Sequence, residues 1–162
     1  FFYYFAQKNF MTSCCLIWAR ENADKAGYRN VDFRLGEIEH LPVADKSVDV
    51  IISNCVINLS PDKPQVYRDV FRVLRTGGRL AISDVVALED LPNEIKSNLD
   101  AHCGCIAGAA TAASLEQMLT DAGFINIQIR VKEESREFIK DWLPGGNLEE
   151  YVRSAVVEAR KP

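Results

Sequence analysis

Histidine is scarce in this chain of 162 residues: only His40 and His102 are present, too few for most histidine-based metal sites. No apolar run approaches the length of a membrane-spanning helix. The opening Phe1-Phe2-Tyr3-Tyr4-Phe5-Ala6 is too short for a signal-peptide core and lacks a basic start. Positive charge is not in excess, since 19 Lys and Arg face 23 Asp and Glu for a net charge of -4. That balance gives no electrostatic case for nucleic acid or an anionic membrane as partner. Glycine is missing from the first ten residues. A cytoplasmic protein is expected.

Cysteine is present, but not as a framework. Cys14, Cys15, Cys55, Cys103 and Cys105 make an odd count, which argues against paired disulfides. The vicinal Cys14-Cys15 and the Cys103-Gly104-Cys105 pair lack the spacing of a zinc ribbon or finger.

A hydrophobic content of 48% with 26% charged residues is that of an ordinary globular chain. One domain over residues 1–162 is expected, with a core of its own. Residues 1–10 carry six aromatics and read as a strand or apolar cap. Thr12 to Ala26 reads as a helix stopped by Gly27, with Leu16, Ile17, Ala19, Ala23 and Ala26 inward. Val31 to Leu35 alternates as a half-buried strand, and Val48 to Ile52 reads as a buried one broken only by Asp49. Ser60 as N-cap and Pro61 at the first position start a helix. Its buried face is Val66, Tyr67, Val70, Phe71 and Leu74, and Gly77-Gly78 ends it. A strand follows over Arg79 to Val86, completing a βαβ signature of a parallel sheet. Leu91 to Ala101 reads as helix and Cys103 to Thr111 as a flexible Gly/Ala segment. Ser114 to Gln117 reads as a capping box, Ile125 to Val131 as an alternating strand, and Phe138 to Leu143 as a short amphipathic segment. For Leu148 to Glu158, helix and strand stay open, with a final strand suggested by Val152, Ala155, Val156 and Val157.

The stretch richest in chemistry is Ser53 to Pro64. Asn54, Cys55 and Asn58 lie where a strand gives way to a helix, and in an open α/β sheet that carboxyl-end crevice binds ligands. Taken alone, Cys55 is more often a small buried apolar residue than a nucleophile. Asp84 ends a strand, where facing the site and capping a turn are equal readings.

Two segments sharpen this. Asp49-Val50-Ile51-Ile52-Ser53-Asn54-Cys55-Val56-Ile57-Asn58-Leu59 with Pro61-Asp62-Lys63, and Cys105-Ile106-Ala107-Gly108-Ala109, resemble the arsenite methyltransferase family. Leu35 to Pro42 and Val73 to Asp84 fit the same pattern, so the resemblance runs from about Met11 to Pro162. It implies an α/β fold: a Rossmann-like class I methyltransferase three-layer sandwich with a mostly parallel sheet. Residues 11–86 would form the cofactor side, and 87–162 the substrate side with the C-terminal strands. It further implies S-adenosylmethionine as cofactor, with Glu37 and Ile38 at the adenine and Asn54 at the amino-acid part. Arsenite or its thiol conjugates would be the substrate, held as arsenic(III) by Cys55 and Cys105, with a thiol reductant as co-reactant. Soft centres select thiolates, and the helix dipole near Cys55 is expected to favour the thiolate.

The chain also departs from that pattern. The first strand–helix unit with its Gly-rich loop has no counterpart, and the chain opens on Phe1, so upstream sequence is expected to be missing. The acidic residue expected at the ribose aligns with Phe10, which accepts no hydrogen bond, and the family's upstream cysteines are absent. Weak or absent cofactor binding by this chain alone is therefore expected, with self-association through exposed sheet edges. The alternatives are a methyltransferase for a small quinone-type acceptor and a non-catalytic, thiol-based arsenic-binding remnant.

Overall fold

The computed structural model describes residues 2–7, 13–96, 106–142 and 147–162. The aromatic opening is a strand, β1 (Phe2–Gln7), paired in parallel with β2 (Val31–Gly36) across α1 (Ser13–Lys25). The helix stops where Gly27 takes a left-handed φ of 74°. Leu16 and Ala23 are buried on it, whereas Ile17, expected inside, is 53% exposed.

A second sheet, not hydrogen-bonded to the first, has the order β3 (Val48–Asn54), β4 (Leu74–Ala87), β6 (Val152–Arg160), β5 (Ile125–Lys132). The β3/β4 pairing is parallel, and β6 runs antiparallel to both β4 and β5. Parallel pairing thus belongs to the first half of the chain and antiparallel pairing to the second. The open question over Leu148 to Glu158 resolves as a short 3₁₀ turn (Leu148–Glu150) followed by β6.

Helix α2 (Lys63–Val73) begins two residues later than the Ser60 start suggests. Asp62 is its N-cap, accepting a hydrogen bond from the Gln65 N–H at 3.0 Å, and Ser60 follows a separate 3₁₀ turn (Ile57–Leu59). The helix does not run to Gly77-Gly78: β4 starts at Leu74 and carries both glycines within it. The inward face is as the period requires, with Val66, Tyr67, Val70 and Leu74 all buried. Between β4 and β5 lie α3 (Asn93–Lys96) and α4 (Ala112–Asp121); α5 (Arg136–Ile139) precedes β6. The N-cap of α4 is Thr111, whose hydroxyl accepts from the Ser114 N–H at 3.2 Å, and not Ser114 itself.

The main core lies between one face of this sheet and the helices α2 and α4. Leu80, Ile82, Val157 and Ala159 meet Val66, Tyr67, Val70, Leu115 and Leu119 there. The rings of Phe71 and Phe124 pack edge-to-face at 5.2 Å. On the opposite face Val50 is 39% and Ile52 77% exposed, so β3 is buried on one side only. An open hollow of about 390 Å³ on that face is lined by Val50, Ile52, Ala81, Gln128, Glu158 and Arg160, among others.

Candidate functional site

The end of β3 is the hinge of the site. Asn54 finishes the strand and is exposed, and the Cys55 N–H still donates to the Ser83 carbonyl of β4 at 3.0 Å. Cys55 then turns sharply with a φ of 49°, a left-handed conformation uncommon for a residue with a side chain. That turn ends the sheet pairing and sends the chain into the 3₁₀ turn.

Asn58, within that turn and buried, ties it to β4. Its side-chain amide donates to Asp84 Oδ1 at 3.0 Å and to the Val85 carbonyl at 2.7 Å. Asp84 is itself 7% exposed, and Oδ1 also accepts from the Val85 N–H at 2.8 Å. Alternation along β4 turns Asp84 to the side of Ile82 and Val86, which is the α2 side. Asp84 Oδ2 is fully buried and, among the described residues, no hydrogen bond to it is formed; the same holds for Ser53 Oγ on the neighbouring strand.

Burial pushes the Asp84 carboxyl up to about 6, against the pull of backbone N–H groups at Val85, Asn58 and Ile57 and of the Lys63 charge. Partial burial of the Cys55 thiol, reinforced by the Asp84 charge, raises its pKa. The expected thiolate-favouring dipole is therefore overruled: the helical segment beside Cys55 is one 3₁₀ turn, and a carboxylate stands nearby. Lys63 Nζ donates to the carbonyls of Ser60 at 3.1 Å and Asn58 at 3.4 Å, and burial lowers its pKa. Tyr67 lies beneath, its phenol pKa raised by burial and then by Asp84.

The segment after the second cysteine reaches the same place. Ile106 is buried, the Ala87 N–H donates to the Ala110 carbonyl at 3.0 Å, and Gly108 lies directly against Asn58. A Cβ on Gly108 would stand 2.0 Å from the Asn58 carbonyl oxygen, so only a bare Cα permits this approach. Of the stretch expected to be flexible, residues 106–111 are described: Ile106 is buried and 107–111 are half-buried. Cys105 and Cys103 lie outside the described residues, as do His102, Phe10 and Thr12.

The loop after β2 flanks this end of the sheet. Glu37 presents an exposed carboxylate 3.9 Å from His40 Nδ1, and Ile38 is half-buried against the core. Glu39 accepts a hydrogen bond from the Ser60 hydroxyl, and its carbonyl accepts from the Gln65 amide at 3.1 Å. The Leu41 N–H donates to Asp69 Oδ2 at 2.6 Å and Arg72 donates to the Leu41 and Val43 carbonyls, both at 2.9 Å. The candidate cofactor loop is thus fastened to the helix that follows Cys55. Among the described residues, no group of three or more His, Cys, Asp or Glu could hold a metal ion.

Sequence reasoning placed Cys55 and Asn54 at a strand end and left Asp84 open between two roles; in the structure its Oδ1 ties β4 to the turn after Cys55 through Asn58. The Gly108–Asn58 contact had no sequence signal, because a close backbone approach between distant segments has no local period.

Fold and strand-end site together define a methyltransferase domain of class I, and the profile described as Methyltransferase domain matches residues 11–123. The chain belongs to that family. Among its relatives it is similar to the arsenite methyltransferase of Halobacterium salinarum, 53% identical over 152 residues, which cover 94% of this chain and 39% of that protein. It is also 43% identical to the arsenite methyltransferase of Aquipseudomonas alcaligenes over 64% of this chain and 31% of that one. The crystal structure of an arsenic(III) S-adenosylmethionine methyltransferase from Chlamydomonas reinhardtii superposes with a TM-score of 0.69 at 32% identity, over 93% of this chain and 52% of that chain. This chain therefore spans well under half the length of the curated relatives it matches.

Proposed function

We propose that this chain carries the substrate-capturing part of an arsenite methyltransferase, with arsenic(III) held by the thiolates of Cys55 and Cys105. The observation that carries the reading is 53% identity to an arsenite methyltransferase over 94% of the chain. The position of Cys55 supports it: an exposed cysteine at the carboxyl end of a strand, on a backbone turn that takes it out of the sheet. Thiolate capture suits a soft centre, and two thiolates orient it as one could not.

The methyl donor is S-adenosylmethionine, which when bound supplies an electrophilic sulfonium methyl group. The described residues fit its two ends. The exposed Glu37 carboxylate can accept from the adenine amine, half-buried Ile38 offers an apolar surface and a backbone N–H, and exposed Asn54 can bind the amino-acid part. In this reading residues 11–86 form the cofactor side of one domain and 87–162 its substrate side. The chain acts in the cytoplasm, where a thiol reductant keeps the cysteines reduced, and it self-associates through the open edge of β3. No described helix is long and apolar enough to cross a membrane.

Arsenite titration of the reduced chain tests the reading. Binding lost in both Cys55→Ser and Cys105→Ser is the expected result, and binding indifferent to both substitutions overturns it. Methylation of a quinone-type acceptor that survives both substitutions would favour the small-organic-acceptor alternative.

A further inference from the structure

The captured arsenic must do something with the hydroxyls it retains. Condensation of arsenous acid with one thiol breaks the S–H bond and one As–O bond, forms an S–As bond, and releases water. No electrons are exchanged, and two hydroxyls remain; a second thiol removes one more and leaves one. A retained hydroxyl is a hydrogen-bond donor brought into a partly water-excluded place, where an unmet donor is costly.

One acceptor there stands unused. Asp84 is more than nine-tenths buried, its Oδ1 is committed to the Asn58 amide and the Val85 N–H, and its Oδ2 is buried without a hydrogen bond from any described residue. The Cys55 N–H is held by the carbonyl of Ser83, the residue before Asp84, and Asn58 in the turn after Cys55 holds Oδ1, so Cys55 and Asp84 belong to the same strand end. Lys63 does not neutralise Asp84 by contact, since the hydrogen bonds its ammonium forms go to the Ser60 and Asn58 carbonyls. Fixing one oxygen with two donors orients the other, and one of those donors, the Asn58 amide, belongs to the turn that follows Cys55. A buried acceptor without a donor, at the strand end that carries Cys55, suits a substrate that brings its own donor.

Resting on the arsenite reading above, we propose that Asp84 Oδ2 accepts a hydrogen bond from a hydroxyl retained by arsenic on Cys55, making Asp84 a substrate-contacting residue. The site then selects for arsenicals that keep a hydroxyl after capture. Dimethylarsinous acid loses its one hydroxyl in the first condensation and has none to offer.

The test titrates arsenous acid and dimethylarsinous acid against the reduced full chain, reading protection of Cys55 from alkylation by mass spectrometry. In Asp84→Asn the amide oxygen must face the two donors at Oδ1, so its NH₂ replaces the acceptor at Oδ2. Arsenous acid is expected to lose about tenfold in affinity, the size of one charge-assisted hydrogen bond, while dimethylarsinous acid changes by less than about twofold on the same principle. Any general change in Cys55 reactivity would move both arsenicals together, and such parallel shifts, or no shift in either, overturn the proposal. The unsubstituted chain gives a second reading that needs no change at Asp84. There the carboxyl-carbon NMR resonance of Asp84 must move on capture of arsenous acid and stay in place on capture of dimethylarsinous acid, and the same response to both overturns the proposal. If neither arsenical protects Cys55 in the unsubstituted chain, the arsenite reading fails first and this proposal with it.

Discussion

The two faces of the four-stranded sheet are built from similar residues and end in opposite states. On the α2 side Leu80 and Ile82 are 1% and 3% exposed beneath Val66, Tyr67 and Leu119. On the other side Ile52 is 77% exposed, and Val50 borders an open hollow among charged residues. Parallel strands normally have both faces covered. The contrast teaches that an apolar residue in β3 contributes to stability through what packs on it, since strand propensity is the same on both sides.

That contrast is breakable by substitution. The largest effect is expected from Leu80→Ala, which opens a cavity in the covered face and should cost about 2–5 kcal/mol in urea unfolding. A loss under about 1 kcal/mol would mean that α2 packs loosely on the sheet. Next is the buried carboxyl at the edge of the same face. Asp84 is held at about 6 against an ordinary 3.8, so between those values the folded chain binds a proton that the unfolded chain releases. Stability should therefore fall as pH rises through that window, by on the order of 2–4 kcal/mol, and Asp84→Asn should flatten the slope. The same substitution should lower the Cys55 pKa, because the carboxylate holds it up; the midpoint of the alkylation rate against pH should move down. An unmoved midpoint would separate the two groups electrostatically.

Gly108→Ala comes third. Its Cβ would meet the Asn58 carbonyl at 2.0 Å, so the 106–111 segment or the turn after Cys55 must shift, at about 1–3 kcal/mol in thermal or chemical unfolding. Thr111→Ala removes the cap of α4 and should cost about 1 kcal/mol. Ile52→Ala on the open face should change stability by no more than about 0.5 kcal/mol. A cost there near that of Leu80→Ala would show that the open face is covered in solution.

Much of this was legible in the residues. The period of Val66, Tyr67 and Val70 marked the buried face of α2, and the alternation of Ile125 to Val131 marked β5. Boundaries were less so. Ser60 and Asp62 are both good N-caps two residues apart, and the choice depends on the intervening 3₁₀ turn being pinned by Asn58 to β4. Gly77-Gly78 looked like a helix stop, yet the pairing of Val48 with Leu74 had already ended the helix. Ile52 looked buried because an apolar strand residue carries no mark of which neighbour will cover it.

By itself the sequence determined the periodic elements, the strand-end position of Cys55 and the resemblance that the comparisons bear out, because these rest on local pattern and residue identity. Only the tertiary structure decided that Asp84 keeps one oxygen buried with no hydrogen bond from a described residue, that Gly108 lies on Asn58, and that one face of β3 stays open. Each of those depends on contacts between segments far apart in the chain, and such contacts are set by packing of the whole fold and not by any window of the sequence.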